Sequence, residues 1–570
     1  MIRHSLAATL VLLAACRPSV TPAPEAAPYD VVISGGRIVD GTGNAWFYGD
    51  VGIRGDRIAS ITGPGMLARA SAGSRVQLAP HMVVAPGFID IQGHSTSLFY
   101  GGDNRVVGKV TQGVTTEILG EGATPAPINP RVADSLLATN PAMPNAELVR
   151  AFAGPRGMDA WLRHVESRQP SINVGTFLGG GTIREYGMGT RMGSASGATL
   201  DSMRAAVRRA MEDGAFGIAT ALIYPPNTFA STEELIALAT AMAPYRGVYI
   251  THMRSEADRL LEAIDEAIRI GAEGGVPVEI FHLKAAGTRN WHKAAQAIAK
   301  IDSARRAGLD VQANMYPYTA GGTGLTSCLP PSIAEGGRLF ENLRDTTMRA
   351  RIRADIASNT GEWEDLCTLA TPSGVMIARL TRPENAQWQG KRLSEIAEGM
   401  GGGVDYLDAA IRLITSENSR VETIYHLMSE ENVRLQMQQP WMKFGTDAGG
   451  PHPDSVRGML HPRSYGTYPR IVGRYVREGV LGLEDAVRKS TSAVATRLLL
   501  EGRGVLRPGN FADVIVFDPS LLADRATFEQ PLQLSTGVAH VWVNGVQVLR
   551  NGEHTGARPG RALRGHGYRP

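Results

Sequence analysis

Through the middle of the chain, short apolar runs alternate with stretches in which apolar residues recur every three or four positions. The runs are GFIDIQGH, TTEILGEG, INVGTFLGGG, FGIATALIY, VYITHMR, VEIFHLKAAG, VQANMYPY and MKFGTDAGG. Between them lie helical patterns such as LDSMRAAVRRAMEDG, STEELIALATAMAPY, EADRLLEAIDEAIRIG and HKAAQAIAKIDSARRAG, several closed by Gly. Parallel neighbouring strands need crossover helices, so eight such units predict an α/β fold, a (β/α)8 barrel of the TIM type, over 85–502. Toward both ends the period falls to two, in YDVVISGGRIVDGTG, DVGIRGDRIASITG, FADVIVFDP and AHVWVNGVQVLRNG. These predict a small β-sandwich built from both chain ends, 29–84 and 503–555, followed by a tail at 556–570. More than a hundred residues separate the seventh run from the eighth, too many for an ordinary connection. Its part at about 325–390 has its own helical pattern (LFENLRDTTMRARIRADIAS) and is expected to be a lid-like insert between strands seven and eight.

Composition changes this picture little. With 43% hydrophobic and 20% charged residues and a net charge of +3 over 570 residues, the chain is ordinary for a soluble protein and has no electrostatic case for nucleic acid. The start is more specific. MIRHSLAATLVLLAAC has a basic beginning, an apolar run too short to span a bilayer, and Cys16 after Leu13-Ala14-Ala15. It resembles a bacterial lipoprotein signal (1–16) with lipid carried on Cys16, followed by a Pro- and Ala-rich tether at 17–28. A lipid-anchored periplasmic protein is expected, on the outer membrane since Arg17 follows the cysteine, with no other membrane contact and a monomer favoured. The two remaining cysteines, Cys328 and Cys367, are expected to be unpaired buried thiols.

Candidate chemistry sits at strand ends, where such barrels work. Glu121 closes the second run, His252 the fifth, His282 the sixth and Asp447 the eighth. One carboxylate and two imidazoles suit a zinc ion with an open fourth position, and Asp447 suits a general acid/base. The first run ends Gln92-Gly93-His94, where metal-holding strands of this kind usually read His-x-His.

The chain resembles the amidohydrolase superfamily, and within it the N-acyl-D-amino-acid deacylase (D-aminoacylase) family. The resemblance runs from about Tyr29 to Gly552 and is carried by APGFID, VTQGVTT, IYPPNTFAS, YITHMRSE, FHLKAAG, YPYTAG, GTDAGG, HPRSYGTYPR and RPGNFADVIVFDP. It implies a tight metal site of Glu121, His252 and His282, with Asp447 as acid/base. Glu121 departs from the cysteine common there. The His-x-His serves a second, weaker metal position in the family, so Gln92 is expected to weaken that position without touching the first, leaving one zinc and His94 as a further candidate ligand. A substrate α-carboxylate would be clamped by Arg463, Lys284, Tyr224 and Tyr316, although spacing alone leaves Tyr318 as a rival to Tyr316. The implied reaction splits N-acyl-D-amino acids, or D-residue-terminated dipeptides, into a carboxylate and a free D-amino acid. Leu325, Leu329 and Ile333 suggest an apolar side-chain pocket and neutral or hydrophobic substrates. The alternatives are a cyclic-amide hydrolase of the hydantoinase or dihydropyrimidinase type and a non-catalytic binding lipoprotein on the same scaffold. The first usually bridges two metals with a carboxylated lysine, and no Lys ends strand three or four here.

Overall fold

The structure, a computed structural model, describes residues 29–139 and 146–570. Cys16, the leader and the tether lie outside the described residues. All eight apolar runs form strands: Phe88–Asp90, Val114–Leu119, Asn173–Thr176 (continued by Leu178–Gly179), Gly217–Ala221, Val248–His252, Val278–Ile280, Val311–Met315 and Met442–Phe444. They are called the first to eighth central strands below. The first three pair in parallel, as do the continuation of the third and the fourth to eighth in sequence order. Between the first and eighth, the Asp447 amide donates to the Gln92 carbonyl (2.8 Å) and the His94 amide to the Ala448 carbonyl (3.0 Å).

The helices follow their sequence pattern. In Leu260–Gly274, the residues Leu260, Ala263, Ile264, Ala267, Ile270, Gly271 and Gly274 are buried, one face at three- and four-residue spacing. That helix ends at Gly275 with φ +67°, a left-handed stop that glycine adopts without a Cβ clash. Ser231 accepts a hydrogen bond from the Glu234 amide and so starts Thr232–Met242.

The two chain ends share a sheet, as expected, but it is one continuous nine-stranded sheet. Val83–Pro86 joins the halves, pairing with Tyr29–Ile38 on one side and Val514–Phe517 on the other. Alternation along these strands serves two cores. Val84, Val514 and Val516 face the sheet's own core with Ile53 and Trp542, while Val83, Ala85, Ile515 and Phe517 face the core of the central strands. The C-terminal segment is a packed part of the molecule: the Val174 amide donates to the Arg561 carbonyl (2.9 Å) and the Leu563 amide to the Val174 carbonyl (2.8 Å), so the segment runs beside the third strand.

The segment between the seventh and eighth strands is larger than the expected 325–390. Ala320–Gly324, Glu422–His426 and Val375–Arg379 form a three-stranded antiparallel sheet with Glu422–His426 in the middle. It has a second apolar core that runs from Tyr316 to Met428 and also takes in Ala257 and Ala286. The helical pattern at 339–358 forms two helices, Leu339–Arg344 and Thr346–Ser358, divided at Asp345, which caps the second. The expectation of unpaired thiols is overturned: Cys328 and Cys367 form a disulfide inside this core. Their buried sulfurs come from two segments that the same apolar cluster holds together, a proximity that spacing along the chain does not reveal.

A chain begun after Cys16 should therefore show no free thiol until reduced, by thiol titration. Reduction should lower its unfolding free energy by about 2–4 kcal/mol in denaturant titrations, the usual contribution of a native cross-link.

Candidate active site

The carboxyl ends of the central strands open into a cavity of about 770 Å³. Glu121 lies just beyond the second strand, His252 ends the fifth, and His282 and Asp447 follow the sixth and eighth by two and three residues. His282 (φ +33°) and Asp447 (φ +49°) hold left-handed backbone conformations that non-glycine residues seldom adopt. Such strain persists only where surrounding contacts impose it, and it concentrates at functional sites.

One donor atom each from Glu121, His252 and His282 lies within 4.8 Å of the others. Glu121 Oε1 is 3.3 Å from both His252 Nδ1 and His282 Nε2. Its other oxygen, Oε2, accepts from Gln92 Nε2 at 2.6 Å and lies 3.2 Å from His94 Nε2. Gln92 is thus not independent of this cluster, contrary to expectation. Its amide fixes the Glu121 carboxylate so that one oxygen faces the imidazoles. His94 Nε2 also lies 2.9 Å from Asp447 Oδ1, and His94, Glu121 and Asp447 make a second donor group that shares Glu121.

Behind the imidazoles sits a buried carboxylate that sequence reasoning missed, Glu256. Its Oε1 is 2.9 Å from His282 Nδ1, and its Oε2 is 3.6 Å from His252 Nε2. A carboxylate on the far ring nitrogen fixes a ligand's tautomer and orientation. Its signal in the sequence was the spacing within THMRSE, four residues after His252. Burial works against a charge on both carboxylates, but cationic and imidazole neighbours prevail. Lys284, His252 and His282 hold Glu256 below the usual carboxylate range, and His282, His252 and His94 hold Glu121 well below it. Burial keeps His252 low and neutral. Two imidazoles and one carboxylate, clustered at hydrogen-bond range with a second carboxylate orienting them, fit a zinc ion in donor type and number.

The expected clamp residues are also here, and each already has a partner. Arg463 Nη1 contacts Asp447 Oδ2 at 2.6 Å, Nη2 donates to the Gly322 carbonyl, and the guanidinium lies 4.6 Å from the Tyr316 ring centre. Lys284 Nζ lies 2.6 Å from Glu256 Oε1 and 2.8 Å from His282 Nδ1. Tyr224 and Tyr316 line the cavity, whereas Tyr318 is buried away from it with its hydroxyl unpartnered. Leu325, Leu329 and Ile333 do not line the cavity. They are buried in the core of the insert, so the apolar side-chain pocket expected from them is not formed.

Beneath the site, Lys109 is wholly buried. Its Nζ donates to Asp90 Oδ2 (2.6 Å), Thr446 Oγ1 (2.6 Å) and the Ala448 carbonyl (2.7 Å), and lies 3.2 Å from Glu117. Asp90 in turn accepts from the Thr446 amide. The residues on either side of Asp447 are therefore both held by one ammonium. A single charged residue in VVGKVTQGV was the available sequence signal.

Nitrogen and oxygen donors gathered at the carboxyl ends of parallel strands, with an acid beside them, are the arrangement of the metal-dependent amidohydrolase class. A sequence model of the amidohydrolase family matches residues 431–549. A D-aminoacylase from Alcaligenes xylosoxydans xylosoxydans is 33% identical over 94% of this chain and 98% of its own length. An N-acyl-D-glutamate deacylase from the same organism is 34% identical over 94% and 96%. The N-acyl-D-glutamate deacylase of Bordetella bronchiseptica, solved with zinc and a phosphonate mimic of the tetrahedral intermediate, superposes with a TM-score of 0.77 at 31% identity, covering 94% of this chain and all of that one. The chain belongs to the D-aminoacylase family of N-acyl-D-amino-acid deacylases. A D-hydantoinase shares only the fold, at 13% identity and a TM-score of 0.53.

Replacing Lys109 with Met should strand two buried carboxylates and cost about 3–5 kcal/mol of stability, read by urea unfolding. A loss under 1 kcal/mol would mean that the ammonium does not hold this layer.

Proposed function

We propose that this protein hydrolyses the acyl amide bond of N-acyl-D-amino acids, releasing a carboxylate and the free D-amino acid. The observation that carries the reading is the Glu121–His252–His282 cluster facing Asp447 and Arg463 in one cavity. Glu121, His252 and His282 would hold one zinc ion, with His94 and Asp447 beside a second position that Gln92 weakens. When bound, zinc supplies Lewis-acid polarisation of the amide carbonyl and a lowered pKa for water. Asp447 supplies the proton transfers. Although burial disfavours its charge, Arg463 holds its carboxylate below the usual range, so Oδ1 is ready to accept a proton from the attacking water and return it to the departing nitrogen. His94, hydrogen-bonded to Asp447 Oδ1, keeps that oxygen facing the cluster. Arg463 and Lys284, with Tyr224 and Tyr316, bind the α-carboxylate. The Arg463 fork suits a two-point contact. Fixing carboxylate and carbonyl together leaves the Cα substituent one direction, and the relatives' substrates make that hand D.

The wider architecture belongs to the same reading. The eight central strands close into a (β/α)8 barrel, supported by the hydrogen bonds of Asp447 and His94 across the first and eighth strands. The insert acts as a lid, supported by Arg379, Thr423 and Tyr425 lining the cavity. The chain ends form one accessory β-domain, supported by their shared sheet. Export and lipidation at Cys16 are supported by the leader sequence and by the Cys328–Cys367 disulfide, which suits an oxidising compartment.

The test is release of free amine by the zinc-loaded chain begun after Cys16, from matched N-acetyl-D- and N-acetyl-L-amino acids. Cleavage of D-compounds alone is expected. Cleavage of L-compounds overturns the stereochemical part, and cleavage of hydantoins alone overturns the linear-amide part. Asp447→Asn should lower kcat by about 10²–10⁴-fold, the range for a general acid/base. His282→Ala should instead lower the zinc content measured by elemental analysis.

A further inference from the structure

One wall of the cavity is not used by the chemistry above. It is built by the insert's antiparallel sheet and by the segment after the eighth strand. Arg420 Nε donates to Glu422 Oε1 at 3.0 Å, and Arg379 Nη2 reaches the same oxygen at 3.5 Å. Arg420 Nη2 also donates to Thr323 Oγ1 at 3.3 Å, and the carbonyl of the adjacent Gly322 accepts from Arg463 Nη2 at 3.1 Å. The wall is therefore linked directly to the α-carboxylate clamp. Arg457, from the segment after Asp447, lines the same cavity with its side chain exposed. Two guanidinium groups share the Glu422 carboxylate and Arg457 stands beside them in the lining, whereas Lys284 and Arg463 are matched by Glu256 and Asp447. Of the two other carboxyl groups of the lining, Glu121 belongs to the imidazole cluster and Glu185 is pushed toward its neutral form by burial.

A wall with surplus guanidinium charge beside an α-carboxylate clamp is chemically a receptor for a second carboxylate. We propose that Arg420, with Arg379 and Arg457, forms a second anion subsite, and that the preferred substrates are dicarboxylates. This rests on the deacylase reading and sharpens it. The second carboxylate belongs either to the amino-acid side chain or to the acyl group, and both would meet the same guanidinium chemistry. The overall identities to the D-aminoacylase and the N-acyl-D-glutamate deacylase, 33% and 34%, do not separate a neutral from an acidic preference. The wall does.

The test uses the zinc-loaded chain begun after Cys16. Rates are compared for N-acetyl-D-glutamate against N-acetyl-D-glutamine, and for N-succinyl-D-leucine against N-butanoyl-D-leucine. One pair should show at least a tenfold higher kcat/KM for the charged member, and which pair does so identifies the source of the carboxylate. Arg420→Gln should shrink that ratio by about 10–100-fold, the scale of one charge-assisted hydrogen bond, mainly through KM. Arg457→Gln should shrink it in the same direction. Equilibrium binding of all four compounds to Asp447→Asn gives the same ratios without turnover. Ratios near one in both pairs overturn the subsite, as does a charged-member advantage that both arginine variants leave intact. Absence of turnover on every compound overturns the deacylase reading instead, with the binding ratios still deciding the subsite.

Discussion

The arrangement depends most on the Lys109 ammonium, buried where the first, second and eighth central strands meet. An uncompensated charge at such a depth would be prohibitive, but all three of its protons are placed and two carboxylates balance it. Its position has a geometric consequence. By holding the Thr446 hydroxyl and the Ala448 carbonyl it brackets Asp447, and the Asp447 amide is tied to Gln92. These contacts keep Asp447 in a left-handed conformation that its own side chain disfavours. Gly93 lets the layer close, because a Cβ there would fall 2.1 Å from Glu117 Oε1.

Above this layer the site is a set of carboxylates, each given a different task by its partners. Gln92 takes one oxygen of Glu121 and turns the other to the imidazoles. Glu256 lies on the far side of both rings and orients them. Asp447 is shared between His94 and Arg463. The residue that breaks His-x-His thus contributes to the remaining donor cluster: an amide can donate to a carboxylate without competing for the place of the cation.

The central strands and the donor residues were legible in the sequence for one reason. Each donor lies within a few residues of the end of an apolar run, and that run fixes where it goes. Glu256, Lys109 and the Arg420 wall were less legible, since their partners lie 28, 19 and 97 positions away along the chain in Lys284, Asp90 and Thr323. The leucines of the insert misled because apolar side chains in a long connection can cover either a ligand or a private core. Here the insert is large enough to need its own core, and Leu325, Leu329 and Ile333 fill it with the disulfide.

That second core divides the molecule's labour. The donors stand on strands packed into the main core, while much of the wall facing the rest of the cavity stands on a sheet packed into the insert's core. The two are joined at several polar points, among them the Gly287 amide and Trp291 Nε1, which both donate to the Leu427 carbonyl, and two further joints reach the site. Glu364 of the insert accepts from the Ser255 hydroxyl and the Glu256 amide, and Arg463 donates to Gly322 in the first strand of the insert's sheet. Both joints end on residues that hold the chemistry in place: Glu256 orients the two imidazoles, and Arg463 pairs with Asp447. A shift of the insert would therefore reach the donor cluster through Glu256 and the acid/base through Arg463.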